Sequence, residues 1–347
     1  MIYKVGIIGY GKMGKLRHRI IATYPDLRVT AICDVEEHAE APGKDICFFT
    51  DYRQLLKADL DIVFVCTPNS ISPAIVVAAL QGKKHVFCEK PPGRTRDDVQ
   101  AMIRAEKSNP GLKLKFGFNH RYHEIIKETK SIIDSGVLGD ILWMRGVYGK
   151  AGSQTFEKEW RNDPAISGGG ILLDQGIHMV DLCRYFAGEF KDISAMITRS
   201  YWNIDVEDNA FVLMKTDSNK VAMLHSSATH WKHTFRLEIF LKEGYLILEG
   251  ILSQTNTYGQ GKESLKIARK RMDLQGKAFG NPKEEVIYFT QDTSWEMEID
   301  EFINCIKADT AVRQGASWEA YETMDLVQRI YEADASWKPV SLKGEEI

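Results

Sequence analysis

The chain has 347 residues, 44% of them hydrophobic, which is more than one small domain needs. We therefore expect two domains, at residues 1–120 and 121–347. The formal net charge is −3 with both signs interspersed, which argues against nucleic acid or a membrane as partner. No stretch is apolar enough to cross a bilayer, and the N-terminus shows no signal-peptide pattern. Because the six cysteines form no C-x-x-C pair and the histidines lack ligand spacing, we expect a cytoplasmic protein with reduced thiols and no metal site.

The first half alternates short apolar strands with helices, which predicts a parallel sheet covered on both faces. A strand at 4–8 leads into Gly9-Tyr10-Gly11-Lys12-Met13-Gly14, and a helix follows at 15–23. In this G-x-G-x-x-G spacing, the glycines allow a tight turn, close approach of a pyrophosphate and close helix–strand packing. A second strand at 29–33 ends in Asp34, where a carboxylate would bind the adenosine ribose. The stretch predicts a Rossmann domain that binds a dinucleotide.

Polar residues follow the other predicted strands of this half. Thr67-Pro68-Asn69 follows the strand at 61–66, Glu89-Lys90-Pro91 follows the strand at 85–88, and Asn119 follows the strand at 112–118. A possible edge strand lies at 46–50. Because ligands of parallel sheets bind beyond the carboxyl ends of the strands, we expect these residues to gather with Gly9 and Asp34 at one edge. Lys90-Pro91 and Pro91-Pro92 are candidate cis peptide bonds.

The second half has a different pattern, in which several strands alternate apolar and polar residues. This alternation predicts a half-buried antiparallel sheet. The predicted strands are 141–148, 193–201, 210–215, 221–227, 235–241 and 245–248, with two or three more in 264–290. The predicted helices are 122–135, 172–187, 295–306 and 318–331.

The stretch 168–181 contains three consecutive glycines followed by Asp174, His178 and Asp181, which share a face if the stretch is α-helical. A histidine between carboxylates at this spacing is a candidate general base. A structural helix held by caps and salt bridges would have the same residues. The glycines favour a site, because they allow backbone to come close to another group.

Lys90 and a second group of residues could belong to a functional site or could have ordinary structural roles. Lys90 is either an ammonium that stabilises an alkoxide or a solvated lysine in a turn. The second set would line a polar substrate pocket, or would belong to the core and the surface. Its members are Asn119, His120, Arg121, Tyr122, Trp160 and Arg161.

The glycine loop, Thr67-Pro68-Asn69, Glu89-Lys90-Pro91 and the 168–178 segment occur in an order that resembles the Gfo/Idh/MocA oxidoreductases, the glucose–fructose oxidoreductase and inositol dehydrogenase family. The resemblance implies an N-terminal Rossmann domain and a C-terminal α/β domain with a large, mainly antiparallel, open-faced sheet. It also implies a homo-oligomer, dimer or tetramer, and a hydride transfer between NAD or NADP and a hydroxyl-bearing carbon of a sugar, cyclitol or sugar derivative.

Site residues follow from the resemblance, position by position. Lys90 matches the lysine on the reacting oxygen, His178 the general base, and Asp174 the aspartate that holds substrate and orients the catalytic group. Two positions depart from the family pattern, since Ser72 replaces a frequent histidine and Pro92 a usual aliphatic residue. The implied cofactor contacts are Gly9, Gly11, Lys12, Met13, Gly14, Asp34, Thr67, Asn69, Glu89 and Lys90. The expected substrate contacts are Lys90, Asn119, Arg121, Trp160, Arg161, Asp174 and His178.

We expect NAD rather than NADP, because Asp34 would repel a 2′-phosphate and Val35 offers no cation in compensation. The alternatives are a nucleotide-sugar dehydrogenase or ketoreductase, and a non-catalytic sensor that binds a dinucleotide. The presence of Lys90, Asp174 and His178 favours an enzyme over the sensor.

Overall fold

A computed structural model describes residues 2–36, 43, 45–253, 262–278 and 280–337. The chain forms two compact units. The first contains residues 1–118, 165–168 and 295–325, and the second contains 119–164, 169–294 and 326–347. This grouping differs from the predicted single cut after residue 120, because the late segment 295–325 belongs with the first unit.

The first unit is built on a six-stranded parallel sheet in the order β3-β2-β1-β4-β5-β6. The chain adds strands on one side of β1 and then on the other, so a topological switch point lies between β1 and β4. The strands are β1 (Tyr3–Ile8), β2 (Leu27–Cys33), β3 (Cys47–Phe49), β4 (Ile62–Val65), β5 (His85–Cys88) and β6 (Leu114–Phe116). The helices between them are α1 (Lys12–Ile21), α2 (Tyr52–Leu55), α3 (Ser72–Gln81) and α4 (Arg96–Lys107).

A helix from the end of the chain completes the core of the first unit. Ile299 and Phe302, from α8 (Ser294–Lys307), are fully buried in one cluster with residues of β1, β4 and β5. The Phe302 ring meets Phe64 and Phe87 edge-on, at centroid distances of 6.3 and 5.7 Å. This apolar burial explains why the segment belongs to the first unit despite its position in sequence.

The second unit contains an eight-stranded sheet in the order β14-β13-β12-β11-β7-β10-β9-β8, antiparallel except for the pair β7–β10. The predicted fold class is therefore confirmed. The strands are β7 (Ile141–Gly149), β8 (Phe190–Thr198), β9 (Asn209–Thr216), β10 (Val221–Ser227), β11 (Thr234–Leu241), β12 (Gly244–Glu249), β13 (Glu263–Arg269) and β14 (Glu284–Phe289). The remaining α-helices in the described residues are α5 (Glu124–Asp134), α6 (Pro164–Ser167), α7 (Ile177–Ala187) and α9 (Ser317–Glu332).

One face of the eight-stranded sheet is covered by α7, and the other carries exposed apolar side chains. A side chain at Gly146 of β7 would meet Met179 of α7 at 2.7 Å, so glycine permits the close packing. On the strands, Trp143 stacks on Phe240 at a centroid distance of 4.0 Å and is 36% exposed. Further exposed apolar residues of the sheet strands are Leu142, Met196, Phe211, Leu213, Met223, Val286 and Tyr288.

No helix within the described residues is long and apolar enough to cross a membrane. All six cysteines are free. Cys47 is exposed, whereas Cys33, Cys88, Cys183 and Cys305 are buried.

Candidate active site

The glycine loop joins β1 to α1 at the switch point of the parallel sheet. Gly9 has φ of +87°, and a side chain there would lie 2.5 Å from the carbonyl oxygen of Cys66. A side chain at Gly14 would lie 2.1 Å from the carbonyl oxygen of Gly9. Both glycines are therefore required by the chain's own packing. The first turn of α1 begins with Lys12 and Met13 and carries no acidic residue, which suits an anion at the helix N-terminus.

Gly11 is different, because no contact among the described residues requires it to be glycine. It is the N-cap of α1 with φ of −71°, and beyond its two chain neighbours no atom of the described part of the protein lies within 4 Å of the place where its Cβ would be. A side chain would fill the open space in front of the helix N-terminus, where a pyrophosphate binds in dinucleotide folds. The residues therefore fit a dinucleotide.

We expect Gly11→Ala to fold normally and to bind the dinucleotide at least tenfold more weakly. The free energy of unfolding should change by less than about 1 kcal/mol, as for alanine at an N-cap, whereas the added methyl group displaces the ligand. Gly14→Ala is the matched control, and its clash with Gly9 should destabilise the chain by about 1–3 kcal/mol. Urea unfolding and calorimetric titration with NAD⁺ measure both quantities. An unchanged affinity in Gly11→Ala would contradict the assignment.

Asp34 follows the end of β2 and is bound to the glycine loop. Its Oδ2 accepts a hydrogen bond from the backbone amide of Tyr10 at 2.5 Å, and its Oδ1 accepts one from the amide of Glu36 at 3.2 Å. The side chain remains partly exposed. The structure thus places the carboxylate beside the loop, as the spacing in sequence predicts.

Thr67, Asn69 and Ser72 form the turn between β4 and α3. The hydroxyls of Thr67 and Ser72 lie 2.9 Å apart, and the Ser72 hydroxyl also reaches the carbonyl oxygens of Thr67 and Pro68. Ser72 is buried, so the residue that replaces the frequent family histidine closes its own turn. Asn69 is buried too, and its amide donates to the carbonyl of Ser167 at 2.7 Å.

Glu89 and Lys90 follow β5. The Lys90-Pro91 peptide bond is cis, and it is one of the two bonds that the sequence indicated as candidates for the cis form. Lys90 is partly exposed, whereas Glu89 is buried and accepts a hydrogen bond from Nε of Arg17 at 2.7 Å.

Arg17, on α1, is a residue that the sequence did not reveal. Its guanidinium is fully buried between the rings of Phe87 and Trp295, and its Nη2 donates to Glu298 at 2.7 Å. Burial raises the pKa of Glu298 to about 7, although the cation opposes that shift. Arg17 thereby ties the helix of the glycine loop to the residue that precedes Lys90.

In the second unit, the glycine run is explained by contacts within the protein. Side chains at Gly169 and Gly170 would meet the hydroxyl of Tyr331 at 2.5 Å and the carbonyl of Glu207 at 2.1 Å. The buried Glu207 accepts hydrogen bonds from the amides of Gly170 and Leu172 and from Tyr331. Burial raises the pKa of this carboxyl. The close approach expected of these glycines is therefore to protein, and they hold the start of the next helix.

The helical segment that follows the glycine run differs from the continuous α-helix predicted at 172–187. A π-helical turn, Leu172–Gly176, precedes α7, so the α-helical spacing assumed for Asp174 and His178 does not hold at its start. π-helical turns within helices are frequent at functional sites. Asp174 lies in the π-turn and His178 in the first turn of α7.

Asp174 is partly exposed and lies among cations. Its Oδ1 accepts a hydrogen bond from Nε of Arg161 at 3.2 Å, and Nζ of Lys150 lies 4.0 Å from Oδ2. The Arg161 guanidinium lies over the ring of Trp160, 4.5 Å from its centroid. The structure therefore brings together three of the predicted substrate residues, and Lys150, at the end of β7, joins them as a cation that sequence reasoning missed.

His178 is 4% exposed and stacks on His120, with ring centroids 3.6 Å apart and planes 10° from parallel. Nε2 of His120 is 2.9 Å from the hydroxyl of Tyr148, and Nδ1 is 3.2 Å from Oδ1 of Asn119. The predicted residues Asn119 and His178 are thus linked through His120.

Arg121 is placed differently from the other predicted substrate residues. Its guanidinium forms a bidentate ion pair with Asp181, with both distances 2.7 Å, and both side chains are almost fully buried. Asp181, which was expected on the helix face of His178, is therefore neutralised by Arg121. This geometry suits a residue that holds α7 in place.

No group of three or more histidine, cysteine or acidic side chains in the described part of the chain is arranged to hold a metal ion.

The strand order, the switch point and the glycine loop with its acidic partner define a dinucleotide-binding Rossmann protein. Two family models specify it further. The oxidoreductase family model with an NAD-binding Rossmann fold, GFO/IDH/MocA, matches residues 3–117, and the GFO/IDH/MocA C-terminal domain model matches residues 126–247. The chain belongs to the GFO/IDH/MocA oxidoreductases, as its motifs predicted.

Individual relatives agree with this assignment. The chain is 29% identical over 251 residues to the uncharacterized oxidoreductase YrbE of Bacillus subtilis, covering 69% of this chain and 71% of that protein. It is 26% identical to the myo-inositol 2-dehydrogenase of Thermotoga maritima, covering 73% and 77%. A solved levoglucosan dehydrogenase in complex with NADH and levoglucosan shares the fold, with a TM-score of 0.83 at 21% identity over 96% of this chain and 97% of that one.

Proposed function

We propose that this protein is an NAD-dependent dehydrogenase that oxidises a hydroxyl-bearing carbon of a sugar, a cyclitol or a sugar derivative. The observation that carries the proposal is the open space at Gly11 in front of α1, which suits a dinucleotide and which no contact between residues that the structure describes explains. The relatives named for myo-inositol and levoglucosan support a polyol substrate. A panel of cyclitols, aldoses and anhydrosugars, assayed by nicotinamide absorbance, tests the proposal.

We assign the proton transfer to His178 and the stabilisation of the reacting oxygen to Lys90. Oxidation removes a hydride from carbon and a proton from the hydroxyl group, and the bound nicotinamide supplies the hydride acceptor. The His178 imidazole takes the hydroxyl proton, while the Lys90 ammonium stabilises the negative charge that develops on oxygen. The same groups, with the proton on His178, serve the reverse reduction.

Substrate binding is assigned to Asp174 with Arg161, Trp160 and Asn119. A carboxylate beside two cations, as found at Asp174, accepts hydrogen bonds from vicinal hydroxyls. Arg121 is assigned a positioning role, because its guanidinium is bound to Asp181. Nucleotide-sugars form a separate arm of the substrate panel, and turnover only in that arm would favour the alternative substrate class.

We propose NAD over NADP because Asp34 lies beside the glycine loop, where a 2′-phosphate would meet its negative charge. Asp34→Ser should raise kcat/KM for NADP relative to NAD by about tenfold, as loss of a like-charge repulsion of about 1.4 kcal/mol would give. Asp59→Ser is the control, because this carboxylate is exposed and paired with Lys4 at the surface. A wild-type enzyme that prefers NADP would defeat the assignment.

We also propose a cytoplasmic homo-oligomer. The exposed apolar rows of the eight-stranded sheet, which include Trp143, Phe211 and Met223, form the surface that we assign to self-association. Light scattering of the purified protein distinguishes a dimer from a tetramer, and a monomer at all concentrations would reject this assignment.

A further inference from the structure

Four hydrogen bonds connect the carboxylate of Asp292, in the second unit, to Tyr148. Asp292 accepts from the hydroxyl of Ser294 at 2.6 Å, and the Ser294 oxygen in turn lies 3.2 Å from Nδ2 of Asn119. The amide oxygen of Asn119 faces Nδ1 of His120, and Nε2 of His120 faces the Tyr148 hydroxyl. All five residues belong to the second unit, so the chain of hydrogen bonds is a property of that unit alone.

The donor in each of these hydrogen bonds can be assigned by starting from Asp292. An ionised carboxylate only accepts, so Ser294 donates to Asp292 and its oxygen accepts from the Asn119 amide. The Asn119 oxygen therefore accepts from His120, which places the His120 proton on Nδ1. Nε2 of a neutral His120 is then an acceptor, and the Tyr148 hydroxyl donates to it. This series of hydrogen bonds therefore selects one neutral tautomer of His120, with the proton on Nδ1.

The stacking makes a charge on His120 unfavourable when His178 is protonated. The two imidazole rings are buried and nearly parallel at 3.6 Å, so two imidazolium ions there would repel each other strongly. A neutral ring, by contrast, offers its π face to the cation.

Two ionisable side chains of this unit that lie near the two rings contact ionisable partners, and Nε2 of one of them, His123, also lies 4.0 Å from Oδ1 of Asp292. The His123 ring lies 5.5 Å from that of His120, and its Nδ1 meets Glu263 at 2.6 Å. Asp181, on the helix of His178, is paired with Arg121.

We infer that His120 is a positioning residue for the general base, because the hydrogen-bond chain from Asp292 holds it as the neutral Nδ1–H tautomer stacked on His178. His120 thereby fixes the plane of the His178 ring and leaves the positive charge of the proton-transfer step to His178. The inference rests on the proposed function, in which His178 takes the substrate proton.

The test is a pH titration of the full-length protein labelled with ¹⁵N-histidine, followed by ring-nitrogen NMR with and without NAD⁺. In the wild type, His120 should show the neutral Nδ1–H pattern at every pH at which His178 titrates. In Asn119→Asp, a carboxylate faces Nδ1 and favours an imidazolium at His120, so protonation of His178 should move about one pH unit lower. Tyr148→Phe should retain the stack and the Nδ1–H tautomer, because the contact between Nδ1 of His120 and Asn119 that sets the tautomer is unchanged.

Wild-type His120 that carries its proton on Nε2, or that titrates before His178, overturns the inference. An unchanged His178 titration in a folded Asn119→Asp also overturns it. If Asn119→Asp does not fold, Tyr148→Phe decides the case, and an Nε2–H tautomer of His120 in that variant overturns the inference. Because NMR requires no turnover, these outcomes are separate from the proposed function, which fails instead if His178→Ala remains active.

Discussion

His178→Ala is expected to lower kcat by about 10²–10⁴-fold at saturating NAD⁺ and polyol, because a positioned general base contributes that much to proton transfer. The affinity for NAD⁺ should be largely retained, since the dinucleotide contacts assigned to Gly9, Gly11 and Asp34 belong to the first unit. Steady-state kinetics and calorimetric titration measure the two quantities. Lys90→Ala should show the same separation, because Lys90 is assigned to the reacting oxygen.

His85→Ala is the matched control for this prediction. His85 begins β5, at the strand end opposite Glu89, and accepts a hydrogen bond from the amide of Lys113. The kcat of the His85→Ala enzyme should remain close to that of the wild type. A His178→Ala enzyme with near wild-type kcat would remove His178 from the mechanism.

Arg17→Ala is expected to destabilise the protein by about 3–5 kcal/mol, as removal of one partner from a buried ion pair does. Glu89 and Glu298 would both lose their buried cation. The pKa of Glu298 is already raised to about 7 by burial, and it rises further without Arg17. Protonation relieves the uncompensated charge, so the loss of stability should be larger at pH 8 than at pH 5.

Urea unfolding at both pH values measures this difference. The double variant Arg17→Ala/Glu298→Gln is its control, because the neutral glutamine removes the carboxyl group whose pKa burial raises. The pH dependence of the loss should therefore be smaller in the double variant. A loss below about 1 kcal/mol at pH 8 in Arg17→Ala would show that the ion pairs do not hold this part of the fold together.

Local patterns were sufficient to predict the sheet of each unit. The sequence of β4 is a continuous apolar run, which is typical of a strand buried on both faces of its sheet. The sequence of β11 alternates apolar and polar residues, which is typical of a strand buried on one face. The relation of Asp34 to the glycine loop could also be predicted, since both follow neighbouring strands and their spacing is set by one β-α-β unit.

Features that depend on contacts between distant segments could not be predicted. Arg17 looks like an ordinary surface cation of an amphipathic helix until Glu89 and Glu298 are placed against it, 72 and 281 residues further along the chain. The role of the glycine run depends on Glu207 and Tyr331, which no local pattern connects to it. The stack of His120 on His178 likewise joins residues from a 3₁₀ turn and from α7.

The reduction of NAD⁺ by the wild-type protein across the panel of polyols tests the central claim most directly. We expect turnover with at least one cyclitol, aldose or sugar derivative, and its loss in both His178→Ala and Lys90→Ala while NAD⁺ still binds. A protein that binds NAD⁺ but reduces it with no member of the panel, or that turns over equally well without these two side chains, would contradict the account.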